Sequence, residues 1–156
     1  MRVTICAVGR LRAGPEKALV DDYLTRFERT GRLLGLGPAR VVEVDERKGG
    51  GVAGEATLLR RVVPHGALVM VLDERGRTLE SPALAGQLAD WRDQGRGELA
   101  LLIGGADGLD PALREAADFS LSLGAMVWPH MLVRVMLSEQ LYRAATILAG
   151  TPYHRN

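Results

Sequence analysis

Short apolar runs alternate along this chain with stretches in which apolar residues recur at helical spacing. Such runs, bounded by turn residues, are typical of strands, and they occur at residues 2–8, 40–44, 67–72, 98–103 and 119–123. The runs at 67–72 and 98–103 suit central parallel strands that are buried on both faces. The alternation predicts one α/β domain over residues 1–156, with a mostly parallel sheet flanked by helices.

Helices are predicted in the intervals between the strands, from apolar spacing and from proline-marked starts. Ser81 and Asp110 each stand directly before a proline, and an N-cap residue followed by proline predicts the start of a helix. The charged, glycine-rich residues 45–54 are predicted to form a loop. The predicted helices cover residues 15 to about 31–37, a segment around 58–63, a segment from 81, residues 110 to about 118, and 130 to about 148.

Composition narrows the class of protein. With 47% hydrophobic and 25% charged residues, the chain has the profile of a globular protein. A net charge of +1 argues against a protein that coats nucleic acid by bulk charge, although a local patch around Arg26, Arg29 and Arg32 stays open. The single cysteine, Cys6, excludes a disulfide framework or a cysteine zinc site and predicts a reduced, cytoplasmic location. Because no apolar stretch reaches transmembrane length, we expect no membrane association. We also expect no metal, since one cysteine cannot build a zinc site.

Two turns that follow apolar strands are candidate ligand sites. Gly104 and Gly105 end the fourth strand, where glycine either lets the backbone approach a ligand or simply makes a tight turn. The sequence leaves both readings open. A dinucleotide site is disfavoured, because the G-x-G-x-x-G spacing is missing. Asp73 follows the third strand at the edge where ligands bind in parallel sheets, although in isolation a surface carboxylate is the simpler reading.

The last helix carries a second group of candidates. His130 stands at its start, where the helix dipole favours a neutral imidazole. Glu139 and Arg143 are four residues apart, and this spacing fits an ordinary helix ion pair as well as a functional role.

The tail after this helix is the third group. Tyr153, His154 and Arg155 place an aromatic ring, an imidazole and a guanidinium side by side, and these groups can stack on a base and contact phosphate. Chain ends are commonly frayed, which is the alternative. Pro152 restricts the tail and favours a defined position.

Four motifs together resemble one family. They are L-L-I-G-G-x-x-G-L at residues 101–109, S-L-G-A-M-x-x-P-H at 122–130, L-V-R-V-x-L-x-E-Q-L-Y-R-A at 132–144 and P-Y-H-R at 152–155. In this order they resemble the ribosomal large-subunit RNA methyltransferase H family of the SPOUT superfamily, whose members methylate N3 of a pseudouridine in 23S rRNA. The similarity covers nearly the whole chain and is weakest over residues 31–64.

The resemblance implies a C-terminal trefoil knot, a homodimer and S-adenosyl-L-methionine as methyl donor. Gly124, Val127 and Trp128 depart from the family's usual residues, so that side-chain contacts would be lost there while backbone contacts to adenine are expected to remain. The positions implied to bind the donor are Leu72, Gly104, Leu123, Gly124, Ala125, Met126, Val127 and Trp128.

The same resemblance implies roles for the catalytic candidates. A group with a pKa near neutrality would help the N3 proton to leave, and His130 and His154 are both candidates for that base. Arg143 and Arg155 would favour the anionic form of the target base, and Tyr153 would stack on it. The expected partner is 23S rRNA, within the assembled ribosome, since a nearly balanced charge gives only modest bulk attraction to phosphate.

Two other functions stay open at this point. One is a nucleotide-binding α/β protein of oxidoreductase or regulatory type, which the strand–glycine–helix pattern supports and the missing fingerprint weakens. The other is a ribosome-binding dimer without catalytic activity, which only the altered residues between 124 and 128 support.

Overall fold

The computed structural model describes residues 1–48 and 50–153. Five strands alternate with five α-helices, and two short 3₁₀ turns, Arg32–Leu34 and Glu46–Lys48, flank the second strand in the described part of the chain. In chain order the elements are β1 (Arg2–Val8), α1 (Pro15–Gly31), β2 (Ala39–Val44), α2 (Val52–Val62), β3 (Leu68–Thr78), α3 (Ser81–Asp93), β4 (Glu98–Ile103), α4 (Pro111–Glu115), β5 (Phe119–Ser122) and α5 (His130–Ala149).

The strands form one parallel sheet in the order β2-β1-β4-β3-β5. This confirms the predicted α/β fold with a parallel sheet. All carboxyl ends of the strands therefore lie at one edge of the sheet, and β3, β4 and β5 bring their ends together there.

Both faces of the sheet are covered, which explains the apolar runs. In β4, Leu99 and Leu101 pack into the core cluster formed with α1, α3 and α5. Ala100 and Leu102 point the other way, into the cluster formed with α2 and α4. Each fully buried leucine contributes about 1.5–3 kcal/mol relative to an exposed one, so the central strand is specified on both sides.

Some predicted boundaries were wrong. The supposed loop at 45–54 contains the start of α2 at Val52, which follows Gly51 in a positive-φ conformation. The third strand runs to Thr78 instead of ending at residue 72. Helix α4 ends at Glu115, short of the predicted residue 118.

The extension of β3 includes a bulge next to β5. Leu121 pairs with Leu72 before the bulge and with Arg77 after it. A Cβ added at Gly76 would lie 2.8 Å from backbone atoms of β5, so only glycine fits this approach. Because most residues of the bulge are polar, a prediction based on apolar runs did not include this part of the strand.

One of the two predicted N-caps is confirmed. Asp110 accepts hydrogen bonds from the backbone N–H groups of Ala112 and Leu113. Ser81 lies inside the first turn of α3, after Glu80, and its hydroxyl donates instead to Gln140 on α5 at 2.8 Å. The serine therefore links two helices and does not cap one.

Helix α5 is anchored by a buried arginine. The Arg134 side chain is 1% exposed. Its guanidinium donates to the carbonyls of Val8 at 2.6 Å and Gly9 at 2.8 Å, and to the Glu43 carboxylate at 3.0 Å. The same carboxylate oxygen accepts from the backbone N–H of Leu11 at 2.7 Å. Arg134 thereby joins the second turn of α5 to the carboxyl ends of β1 and β2.

No helix in the described ranges is both long enough and apolar enough to span a membrane.

Replacing Arg134 by methionine is expected to lower the free energy of unfolding by about 3–5 kcal/mol, because two carbonyls and a carboxylate lose a buried cationic partner. Chemical denaturation monitored by circular dichroism measures this change. The matched control is Arg26→Met on α1, which removes an exposed i,i+4 ion pair with Asp22 and should cost less than about 1 kcal/mol. Equal losses in the two variants would contradict the anchoring role.

Replacing Gly104 by alanine is also expected to destabilise the fold. An added Cβ would collide with the Gly108 carbonyl and would lie 3.0 Å from the backbone nitrogen of Leu109. We expect a loss of about 1–3 kcal/mol, as for other overpacked sites. Gly86→Ala in α3, where nothing lies within 4 Å of the added Cβ, should be neutral or stabilising by up to about 1 kcal/mol. An unchanged melting temperature for Gly104→Ala would be evidence against this packing.

Candidate functional site

A cleft of about 630 Å³ opens where β3, β4 and β5 end. This volume lies within the usual range for small-molecule sites, and the position is the one where ligands bind in open parallel sheets. The lining comes from the bulged part of β3, from the ends of β4 and β5 and the loops after them, and from the starts of α2, α4 and α5.

The floor of the cleft is apolar. Leu72 and Leu121 close it from β3 and β5, Ile103 from the end of β4, and Val133 from the second turn of α5. Leu121 and Ile103 are buried, so this surface is continuous with the core. A flat apolar group, such as a nucleobase, suits a floor of this kind.

The loop after β4 forms one wall. Gly104 begins it, and Gly105 and Gly108 pair with each other across the loop in an isolated antiparallel bridge. The contact of Gly104 with the Gly108 carbonyl leaves no room for a side chain at that position. The glycines therefore make the tight turn that was one of the two predictions for them. The backbone of this turn also lines the cleft, so that the other prediction, close approach to a ligand, stays open.

The loop after β5 forms the opposite wall. Buried Ser122 anchors it, because its hydroxyl accepts from the backbone N–H of Gly124 and lies 3.1 Å from the carbonyl of Glu74. Gly124 has φ 111°, a conformation that L side chains rarely adopt. The glycine at this position, one of the three departures from the family's usual residues, thus goes with a backbone conformation that favours glycine.

Trp128 closes the same loop. Its ring is half-buried against the cleft, and its Nε1–H is buried without an acceptor among the residues that the structure describes. Met126 and Val127 are exposed along the mouth. Seven of the eight positions predicted to bind the methyl donor line the cleft, and the eighth, Ala125, is exposed in the same loop without lining it.

Charged side chains at the cleft include an ion pair. Asp73 accepts from the Arg114 guanidinium at 3.4 Å and from the backbone N–H of Arg75 at 2.9 Å. The Asp73 side chain is only 10% exposed, so the simple surface reading of this carboxylate was wrong. Arg114 was not predicted, because no local pattern shows that this residue of α4 contacts Asp73 in β3, 41 positions earlier.

His130 lines the cleft at the start of α5. Burial, reinforced by the positive charge of Arg134, lowers the pKa of its imidazole, and the carboxylate of Glu46 opposes this effect only in part. The ring is therefore neutral at pH 7, as the position at a helix start predicted. A neutral imidazole has one nitrogen free to accept a proton.

A second groove, of about 540 Å³, adjoins the cleft between α1, α5 and the ends of β3 and β5. The two share Leu121, Leu123 and Gly124. Glu139 lies in the second groove and accepts from Arg143 at 2.6 and 2.9 Å. The predicted helix ion pair is thus confirmed.

Tyr153 joins this ion pair. Its hydroxyl donates to Glu139 at 3.1 Å, its ring lies 4.4 Å from that of Tyr142, and the Arg143 guanidinium lies 5.1 Å from its ring centre. Burial, followed by hydrogen bonding to Tyr23, raises the pKa of the phenol, so Tyr153 stays protonated at neutral pH. Tyr23 of α1 was not among the site residues predicted from the sequence.

The catalytic candidates thus fall in two places. His130 lines the cleft, while Arg143 and Tyr153 bond to Glu139, the member of this cluster that lines the second groove. The other two candidates, His154 and Arg155, lie outside the described residues. Within the described ranges, no group of three or more histidine, cysteine or acidic side chains could hold a metal ion.

Known proteins resemble this chain over its full length. A protein of Roseobacter denitrificans named "Ribosomal RNA large subunit methyltransferase H" is 75% identical over 156 residues, which is 100% of both chains. A protein of Ruegeria pomeroyi with the same name is 71% identical over 155 residues, or 99% of both chains.

Solved structures share the fold. A probable methyltransferase from Bordetella pertussis has a TM-score of 0.56 at 18% identity, over 92% of this chain and 96% of the other. A probable methylase family protein from Haemophilus influenzae has a TM-score of 0.52 at 16% identity, over 99% of this chain and 70% of the other. The family model described as "Predicted SPOUT methyltransferase" matches residues 1–154. The chain therefore belongs to the SPOUT methyltransferase family.

Proposed function

We propose that this protein transfers a methyl group from S-adenosyl-L-methionine to N3 of a pseudouridine in 23S rRNA of the large ribosomal subunit. The observation that carries the proposal is the cleft at the carboxyl ends of β3, β4 and β5, lined by seven of the eight positions expected to bind the donor. Membership of the methyltransferase family and the names of the two relatives supply the reaction class and the RNA substrate.

The cleft has the features that an adenosine-containing donor requires. The apolar floor around Leu72 and Leu121 suits the purine ring, and backbone N–H and C=O groups of the loop residues that line the cleft would meet its edge. Gly104 keeps the wall free of a side chain. The three departures from the family's usual residues, Gly124, Val127 and Trp128, change side chains only, so that backbone contacts to the donor are still expected.

When bound, S-adenosylmethionine would supply an electrophilic methyl group to a nitrogen held in line with it. The task of the protein is then mainly to position the target base, because in-line transfer depends on geometry. The second groove meets the donor cleft at Gly124 and suits the target base. Glu139 there orients Arg143 and Tyr153, which would favour the anionic base and stack on it.

The N3 proton needs an acceptor. His130 is neutral and lines the donor cleft, so it can accept a proton directly or through water. His154, in the tail, is the other candidate from the sequence. The two histidines stay alternatives.

A homodimer is part of the proposal. Leu19, which lines the second groove, and Met131 and Leu132 at the start of α5 expose apolar side chains, which suits contact with a second copy. A C-terminal trefoil knot, action on the assembled ribosome and a cytoplasmic location also stay predictions. The net charge of +1 suits a substrate recognised by shape more than by bulk phosphate attraction.

The test of function uses rRNA from a bacterial strain that lacks its own enzyme for this modification. Expression of this chain should restore a mass increase of one methyl group on the fragment that contains the pseudouridine. A protein that binds ribosomes without catalysing transfer would leave the fragment unmodified. As a matched control, Gly104→Ala should restore less modification than Gly86→Ala at equal expression.

Calorimetry tests the donor. S-adenosylmethionine should bind with a measurable affinity, while NAD should give no heat of binding. The reverse result would favour an oxidoreductase or regulatory nucleotide-binding protein and would contradict the proposal.

The tail is expected to act on the RNA side of the site. Deleting residues 153–156 removes Tyr153 from its contact with Glu139 and should lower the methylation rate by about 100-fold or more, because positioning of the base is lost. The affinity for S-adenosylmethionine should change little, since the donor cleft lies elsewhere. Deleting Asn156 alone is the control. Full activity of the longer deletion would rule out this role.

A further inference from the structure

The ion pair between Asp73 and Arg114 differs from the other charges at the donor cleft. Their side chains are 10% and 22% exposed, whereas Glu74 and Arg75, which also line the cleft, are 53% and 68% exposed. Glu74 and Arg75 lie in the bulged part of β3 and contact each other only at 3.9 Å. The protein therefore keeps one carboxylate and one guanidinium partly withdrawn from water on the wall of a cleft whose other charged side chains include the exposed Glu74 and Arg75.

This pair makes few bonds for groups of its kind. The Arg114–Asp73 contact is long, at 3.4 Å. Among the described residues, the Arg114 guanidinium makes no other hydrogen bond. A guanidinium has five N–H donors, and a carboxylate accepts about four bonds. Asp73 uses two of them, to Arg114 and to the backbone of Arg75. Several N–H donors of Arg114 and acceptor positions of Asp73 therefore remain for a ligand in the cleft that both residues line. Such a ligand would be favoured, because partly buried charges are costly without good partners.

A zwitterion matches this capacity. An α-amino acid group carries a carboxylate, which a guanidinium binds with two parallel hydrogen bonds, and an ammonium, which a carboxylate binds. No other part of the proposed donor has two opposite charges side by side. The purine and ribose fit the apolar floor and the backbone walls instead, so the charged end is left for the charged pair.

We propose that Asp73 binds the α-ammonium group and Arg114 the α-carboxylate of the methionine end of the methyl donor. This assignment rests on the proposed function and deepens it, since it gives the cleft an orientation. The adenine lies toward the loop of residues 123–128, and the amino-acid end lies toward α4.

The test compares three ligands by calorimetry. S-adenosylhomocysteine carries the amino-acid end without the sulfonium charge, 5′-methylthioadenosine lacks the amino-acid end, and S-adenosylmethionine has both features. For the wild-type protein, S-adenosylhomocysteine should bind at least tenfold more tightly than 5′-methylthioadenosine. Asp73→Asn and Arg114→Met should each weaken S-adenosylhomocysteine by about 10–100-fold, as expected for a charge-assisted contact. The affinity for 5′-methylthioadenosine should change by less than about threefold.

Matched controls come from the neighbouring charges. Glu74→Gln and Arg75→Met remove exposed charges at the same cleft and should leave all three affinities within about threefold of wild type. Arg114→Lys keeps the charge but loses the planar fork, so it should recover part of the affinity for S-adenosylhomocysteine. Thermal melts of every variant show that it is folded before its affinities are compared.

The outcomes distinguish the assignment of Asp73 and Arg114 from the proposed function. Equal weakening of S-adenosylhomocysteine and 5′-methylthioadenosine, or no change in either, would overturn the assignment. Weakening of S-adenosylmethionine alone would also overturn it, because Asp73 would then be serving the sulfonium charge. A wild-type protein that binds none of the three ligands would instead overturn the proposed function.

Discussion

The contact on which the rest of the structure depends is the buried bonding of Arg134 to the ends of β1 and β2. Its guanidinium fixes the first turns of α5 to the carbonyls of Val8 and Gly9, about 125 residues earlier in the chain. His130 lies one turn before Arg134, directly after the loop that forms one wall of the donor cleft. The position of that wall, and of the neutral imidazole beside it, therefore follows from a single buried charge and its acceptors.

Glycine determines the other two boundaries of the cleft. Gly76 lets the bulge of β3 lie against β5, and Gly104 lets the loop after β4 fold back on Gly108. Both are contacts of backbone with backbone, in which no side chain could be accommodated. Such contacts do not adjust as side chains do, because the chain itself would have to move. The cleft is consequently preformed by tightly packed loops, which is the property a positioning enzyme needs.

The sequence predicted the parts of this arrangement that depend on local pattern. Apolar runs located all five strands, most clearly β4, which is buried on both faces. Asp110 was recognised as a cap because its partners are the next residues along the chain. What could not be predicted depends on distant contacts: Arg134 with β1, Arg114 with Asp73, and Tyr153 with Glu139. The start of α2 was missed for a different reason, because its glycine-rich surroundings resemble a loop. The resemblance to a family supplied the donor positions, which no periodicity could give.

The cleft and the second groove divide the proposed reaction between them. The donor side is apolar with a charged pair, and the RNA side has a carboxylate that holds a cation and an aromatic ring. Gly124 lies where they meet, with φ 111° and open space around the position of a Cβ. A side chain at this position would have room but an unfavourable backbone conformation, so the glycine here goes with the path of the loop and not with crowding. The course of the loop between the two sites is held by the Ser122 hydroxyl, which bonds to both the backbone N–H and the carbonyl of Gly124.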